Sequence, residues 1–130
     1  MAEDLDRARY VSFVSNRRDG AQVATPVWVV PCRGGYAFTT GGGSYKVRRV
    51  RNDPSVTITP CGWRGRVEPG ATTYSGTAEV LTGDDHREVE RLVRRKYWLA
   101  WPILLGPVYL LDRLRGRRDD DVSILVRIDT

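Results

Sequence analysis

Apolar and polar residues alternate along most of this chain, which indicates β-strands more than helices. The alternation is clearest near the C-terminus, where apolar residues stand at every second position over 122–128. A period of two places successive side chains on opposite faces of a sheet. Runs rich in β-branched or aromatic residues predict five further strands, at residues 10–15, 23–30, 36–40, 55–59 and 73–81.

A proline interrupts the second of these predicted strands. Pro26 lies inside the run 23–30, and proline has no N–H group to donate to a neighbouring strand. The residue therefore predicts an edge strand, a bulge, or a place where something other than a strand pairs. The Asp19-Gly20 pair before this run is typical of a tight turn.

Helical spacing is confined to three segments. The longest begins near Asp84 and carries an apolar stripe at positions i, i+3, i+4 and i+8 counted from Val89. A second covers 44–52 and ends before Pro54, while Leu5 and Ala8 indicate a short N-terminal helix. About six short strands, few helices and no alternation of strand with helix favour a small antiparallel barrel.

Composition and charge narrow the functional classes. The chain has 130 residues, of which 41% are hydrophobic and 28% charged, as in globular proteins. A net charge of +5 favours an anionic partner. The first ten residues are acidic and lack an apolar core, so no secretory signal is expected. With only Cys32 and Cys61 as thiols, a disulfide framework is not expected, and a reducing cytoplasm is the simplest location.

The small number of histidines and cysteines also argues against metal-dependent and serine-hydrolase chemistry. His86 is the only histidine, and with two separated cysteines it does not make a persuasive zinc site. A Ser-His-Asp triad would have to use His86, which stands in the charged string GDDHRE. We therefore expect no metal, and no residue is assigned as a catalytic acid, base or nucleophile.

An apolar segment at 97–111 has no obvious place in a small barrel. It is 15 residues long and is interrupted by Pro102, Gly106 and Pro107, whereas a membrane-spanning helix needs about 20 apolar residues. The favoured interpretation is a subunit interface or a segment that covers the core. The alternative is a contact with a membrane surface, because Trp98 and Trp101 are interfacial residue types.

Candidate chemistry concentrates in residues 39–54, where a strand, three glycines and a basic helix follow one another. The free N–H groups and positive dipole end of a first helical turn form an anion site. Thr40 and Ser44 can add hydroxyls, and Lys46 and Arg49 share one helix face. The alternative is an ordinary basic, solvated helix after a flexible loop. Neither a Walker loop nor a GxGxxG motif is present.

These motifs, taken together, resemble those of the pyridoxamine-phosphate-oxidase-like flavin and deazaflavin oxidoreductases, most closely the enzymes that use coenzyme F420. The resemblance covers roughly residues 10–81, the Lys-Tyr pair at 96–97 and the last strand. It rests on Asp19-Gly20, on Thr25-Pro26-Val27-Trp28, and on the set Thr40, Ser44, Lys46, Arg49 and Pro54.

The resemblance implies a mainly β fold, a six-stranded antiparallel split β-barrel with a few flanking helices. Residues 1–130 would form a single domain, with a core at 10–82 and 122–130 and the helix and apolar segment at 84–118. The chain would form a homodimer with a cofactor groove at the interface. The phosphate and acidic tail of the cofactor would be held by Thr40, Ser44, Lys46 and Arg49, and its ring would lie along the backbone of Thr25, Pro26, Val27 and Trp28.

The implied reaction is hydride transfer between reduced F420 and an electron-poor small-molecule substrate. An FMN-dependent oxidoreductase, or a non-catalytic carrier of flavin, F420 or haem, is the alternative. Tyr45 departs from the family pattern, because relatives often have a small residue between the serine and the lysine. Nucleic acid is not expected as a partner, because the arginines cluster after the glycine-rich loop and in one late loop instead of interleaving with aromatic residues along strands.

Overall fold

The computed structural model describes residues 3–62, 65–100 and 121–129. Within these ranges none of the helices is long and apolar enough to cross a membrane. The helices are α1 (Glu3–Arg7), α2 (Tyr45–Asn52) and α3 (Gly83–Ala100). The strands are β1 (Tyr10–Asn16), β2 (Gln22–Trp28), β3 (Val30–Cys32), β4 (Gly35–Gly41), β5 (Ser55–Cys61), β6 (Tyr74–Leu81) and β7 (Asp121–Ile128).

The strands form one antiparallel sheet in the order β2-β1-β5-β6-β7-β4-β3. The two outermost strands, β2 and β3, are consecutive in the chain and are separated by Val29 alone. The sheet must therefore curl until its first and last strands meet, which confirms the predicted mainly β split barrel. The seventh strand arises because the run predicted at 23–30 is interrupted at Val29. The residues before Val29 form the edge strand β2, and those after it begin the opposite edge strand β3.

Pro26 lies on the outer strand β2, opposite Ser12 of β1. A missing N–H group is tolerated at a sheet edge because no further strand needs it, so the edge interpretation is confirmed. On its exposed side Pro26 is approached by the loop after β5, where a Cβ placed on Gly65 would lie 3.5 Å from the proline Cδ. Gly65 has a φ of +82°, a conformation that glycine adopts without strain.

The interior of the curled sheet holds the larger hydrophobic cluster. Phe13 and Phe38 meet edge to face at its centre, with ring centroids 4.9 Å apart. Val47 and Val50 of α2 close one side of this cluster. Leu5 of α1, which lies outside the predicted core at 10–82 and 122–130, is also fully buried in it.

The outer face of the sheet carries a second cluster beneath α3. Val89 and Val93, part of the stripe predicted for this helix, pack there with Val30, Ala37 and Leu125. The sheet is therefore apolar on both faces where α3 covers it. The interface or membrane contact predicted at 97–111 lies outside the residues whose side chains the structure describes.

Candidate functional site

The glycine-rich loop joins the end of β4 to the start of α2, as the sequence predicts. Ser44 is the N-cap residue, and its Oγ accepts a hydrogen bond from the Val47 N–H at 3.4 Å. The Thr40 hydroxyl donates to the same oxygen at 3.3 Å. A hydroxyl can accept two hydrogen bonds and donate one. Because both acceptor positions of Ser44 are in use, its remaining capacity is a donor, which suits an anion.

Lys46 and Arg49 share one face of α2 and are both half-buried. Burial lowers the pKa of Lys46 below its ordinary value, and the charge of Arg49 lowers it further. Among the described residues, neither cation forms an ion pair with a carboxylate. Two adjacent, partly desolvated positive charges repel each other, and a bound anion would relieve that repulsion. These residues therefore fit the phosphate of a flavin-type cofactor.

Arg49 is held in place by a serine that sequence reasoning missed. Its Nε donates to Ser15 Oγ at 2.7 Å, and Ser15 has no exposed surface. The bond leaves the two terminal guanidinium nitrogens of Arg49 available as donors. The signal was present in the sequence, because Ser15 continues the core-facing positions of Val11 and Phe13 with a polar residue.

The predicted ring-binding segment is divided between the two faces of β2. Thr25 and Val27 face the interior, because their partners in β1 are core residues. Pro26 and Trp28 face outward, and the Trp28 ring meets that of Tyr10 edge to face at 6.2 Å. Trp28 also packs against the cluster beneath α3. Its side chain thus has a packing role, and only the inward half of the segment shares a face with Ser15.

β1 links the two predicted halves of the site. Ser15, the anchor of Arg49, pairs with Val23 of β2. Thr25 follows Val23 by two residues and points to the same face. Arg49 and Thr25 therefore lie on the same side of the β1–β2 pair. Thr40, at the end of β4, is hydrogen-bonded to Ser44, which caps the helix that carries Lys46 and Arg49.

His86 has a structural position. Its Nδ1 lies 2.7 Å from Ser123 Oγ and its Nε2 lies 3.0 Å from Glu90 Oε1. This order of groups resembles a hydrolase triad, but Ser123 has no exposed surface and cannot reach a substrate. The network joins α3 to β7. In the described ranges, no three His, Cys, Asp or Glu side chains come together as a metal site.

Comparison with known sequences gives one family. The sequence profile of the family described as pyridoxamine 5′-phosphate oxidase matches residues 1–127. Among curated proteins, none is similar enough in sequence to count as a match.

Solved structures with the same fold differ in their stated roles. The conserved hypothetical protein Rv2991 from Mycobacterium tuberculosis superposes with a TM-score of 0.73 at 18% identity, over 99% of this chain and 78% of that chain. HutZ, a haem storage protein from Vibrio cholerae, superposes with a TM-score of 0.71 at 12% identity, over 98% of this chain and 87% of HutZ. An F420 reductase superposes with a TM-score of 0.65 at 18% identity, over 98% of this chain and 92% of the reductase. Identities this low show the fold alone.

Proposed function

The chain belongs to the pyridoxamine 5′-phosphate oxidase family, and from that membership we propose that it is an F420-dependent oxidoreductase. The proposed reaction is hydride transfer between the reduced deazaflavin and an electron-poor small molecule. FMN is the alternative cofactor. A cytoplasmic homodimer with the cofactor in a groove between protomers is part of the same proposal.

The observation that carries the proposal is the pair Lys46 and Arg49, which form no ion pair with a carboxylate among the described residues. Lys46 lies two residues after the N-cap Ser44, and Arg49 follows one turn later on the same helix face. The Ser44 hydroxyl retains its donor there, and Arg49 is fixed by Ser15. Donors, fixed charge and helix dipole all favour one phosphate group at this position.

In this proposal the protein residues bind the cofactor and orient it. Lys46 and Arg49 would hold the phosphate, and the backbone around Thr25 would contact the ring. A bound deazaflavin supplies the hydride chemistry, and the protein supplies position and electrostatics. No side chain of the site is required to act as an acid or a base.

A haem carrier is the second candidate, because HutZ has the same fold and is described as a haem storage protein. Among the described residues, the one histidine that could bind haem iron, His86, already contacts Ser123 and Glu90. The free donors and cations at α2 instead suit a phosphate-bearing cofactor.

The deciding experiment is a binding titration of the purified chain with F420, FMN and haem side by side. Quenching of tryptophan fluorescence reports binding, and turnover is then assayed with quinones, nitro compounds and activated alkenes. We expect F420 to bind most tightly and to support reduction. Tight haem binding without F420 or FMN binding would favour the carrier function.

Replacement of Lys46 by glutamine should weaken F420 binding by about 10- to 100-fold. A charge-assisted hydrogen bond contributes about 1.5–3 kcal/mol, and each 1.4 kcal/mol corresponds to a factor of about ten in affinity. The free energy of unfolding should fall by no more than about 0.5 kcal/mol, because the half-buried Lys46 charge is repelled by Arg49 and has no carboxylate partner among the described residues.

The matched control for this substitution is Arg91→Gln, which removes an exposed positive charge from α3 instead of α2. It should leave the affinity for F420 unchanged. Equal affinities of the Lys46→Gln variant and the unaltered protein would contradict the assigned phosphate position.

A further inference from the structure

The side chain of Lys96, in α3, joins two segments of backbone that lie far from it in the sequence. Its Nζ donates hydrogen bonds to the carbonyl oxygens of Ala8 and Val29, at 2.9 Å each. Val29 links β2 to β3 and directly follows Trp28, and Ala8 lies between α1 and β1. Lys96 therefore connects the chain just after the segment 25–28 to the chain just before β1.

The segment 25–28 belongs to an edge strand, so its backbone is bonded to a strand on one side. In the described sheet β1 is the neighbour of β2. In an antiparallel pair, every second residue directs its N–H and C=O groups away from the partner strand. On an edge strand those groups remain available to a ligand. They are the groups through which the backbone of this segment would contact a cofactor ring.

The carbonyl of Val29 lies where the chain is packed on both faces. The Val29 side chain is buried in the larger hydrophobic cluster, and that of Val30 is buried in the cluster beneath α3. A backbone carbonyl in such a position needs a hydrogen-bond partner within the protein. Lys96 provides a charged donor, and bonds from charged donors are stronger than those between neutral groups.

The Ala8 end of this connection is itself fixed on the barrel. Leu5 of α1 has no exposed surface, and the Tyr36 hydroxyl donates to Asp6 Oδ1 at 2.6 Å. Ala8 packs against the larger hydrophobic cluster. Lys96 thus ties the end of β2 to a point that two kinds of contact already hold.

We propose that Lys96 is a positioning residue for the ring of the cofactor. By binding the Val29 carbonyl, its ammonium group fixes the end of the segment 25–28, whose backbone would contact the ring. Groups that bind a ligand productively are held within about 0.5 Å of the required geometry, and an edge strand needs an anchor to meet that condition. This role rests on the proposed function, and it involves no contact between Lys96 and the cofactor.

Titration with the cofactor and with a phosphate that has no ring tests this role. Lys96→Met removes the donors and keeps the length of the side chain. We expect its affinity for F420, or for FMN if FMN is the cofactor, to fall about tenfold, because the ring-binding backbone is no longer preorganised. Its affinity for orthophosphate should be unchanged. The control Arg95→Met replaces an exposed neighbouring side chain and should alter neither affinity.

Two further measurements separate positioning from a general loss of stability. At saturation, the fluorescence anisotropy of the bound cofactor should be lower in Lys96→Met than in the unaltered protein, because the ring is held less firmly. Without cofactor, amide hydrogen exchange in Lys96→Met should become faster in β2 and remain unchanged in β6 and β7. Local opening of this kind affects the segment that has lost its anchor, whereas global destabilisation affects every strand.

Unaltered affinity and anisotropy in Lys96→Met would overturn the proposal, and so would an equal rise of exchange in all strands. If Lys96→Met does not fold, Lys96→Gln takes its place, because its shorter amide retains donors. The cofactor affinity of Lys96→Gln should then fall about threefold or more. Failure of the proposed function is distinguishable, because the unaltered protein would then bind neither F420 nor FMN, and the positioning role would fail with it.

Discussion

Truncation of Phe13 to alanine is expected to lower the free energy of unfolding by about 3–5 kcal/mol. Phe13 has no exposed surface and packs edge to face on Phe38 at the centre of the barrel. The loss combines the transfer of the ring to water with the cavity left behind. Native domains are stable by only about 5–15 kcal/mol, so urea unfolding should show a large shift of the midpoint.

Tyr45→Ala is the matched control, because it truncates an aromatic side chain that is 73% exposed. Apart from the contact with Arg48, little is lost, and the change should stay within about 1 kcal/mol. Similar losses for both variants would mean that Phe13 is not at the centre of the core.

Removal of the ammonium group of Lys96 should change how stability depends on pH. Its Nζ donates to the carbonyl oxygens of Ala8 and Val29, at 2.9 Å each. Burial lowers the pKa of Lys96 to about 8, against a smaller opposing effect of Asp6. In the unfolded chain the pKa returns to its ordinary value of 10.5.

Between those two values the unfolded chain binds more protons than the folded one, so stability rises with pH across this window. Because the side chain is only partly buried and solvent screens its charge, we expect a rise of about 1–2 kcal/mol across this window. Lys96→Met should remove this rise, as measured by urea unfolding from pH 7 to pH 10.5. The control Arg95→Met replaces an exposed neighbouring side chain on the same helix. An equal rise in the Lys96→Met variant would contradict the lowered pKa.

Local patterns predicted the elements and the start of the site. Alternation places the strands because each strand is half-buried. The i, i+3 spacing of Lys46 and Arg49 puts both on one face wherever α2 packs, and Ser44 is recognisable as a cap from its own neighbours. These features depend on residues within one turn or one strand.

Contacts between distant segments were not predictable in this way. The bond from Arg49 to Ser15 joins residues 34 positions apart. That Arg18 and Arg51 line the same cleft likewise depends on how α2 packs beside the end of β1. The break at Val29 was also hidden, because its β-branched neighbours favour a strand whether or not the chain changes sheet edge.

The passage from β2 to β3 through Val29 has a mechanical consequence. The two edge strands of the sheet, β2 and β3, belong to one short length of backbone. Lys96 donates a hydrogen bond to the carbonyl oxygen of Val29, at the corner between these strands. A ligand that binds the backbone around Thr25 is therefore expected to restrain both edge strands together. A displacement of β2 at this corner would therefore also displace β3, at the opposite edge of the sheet.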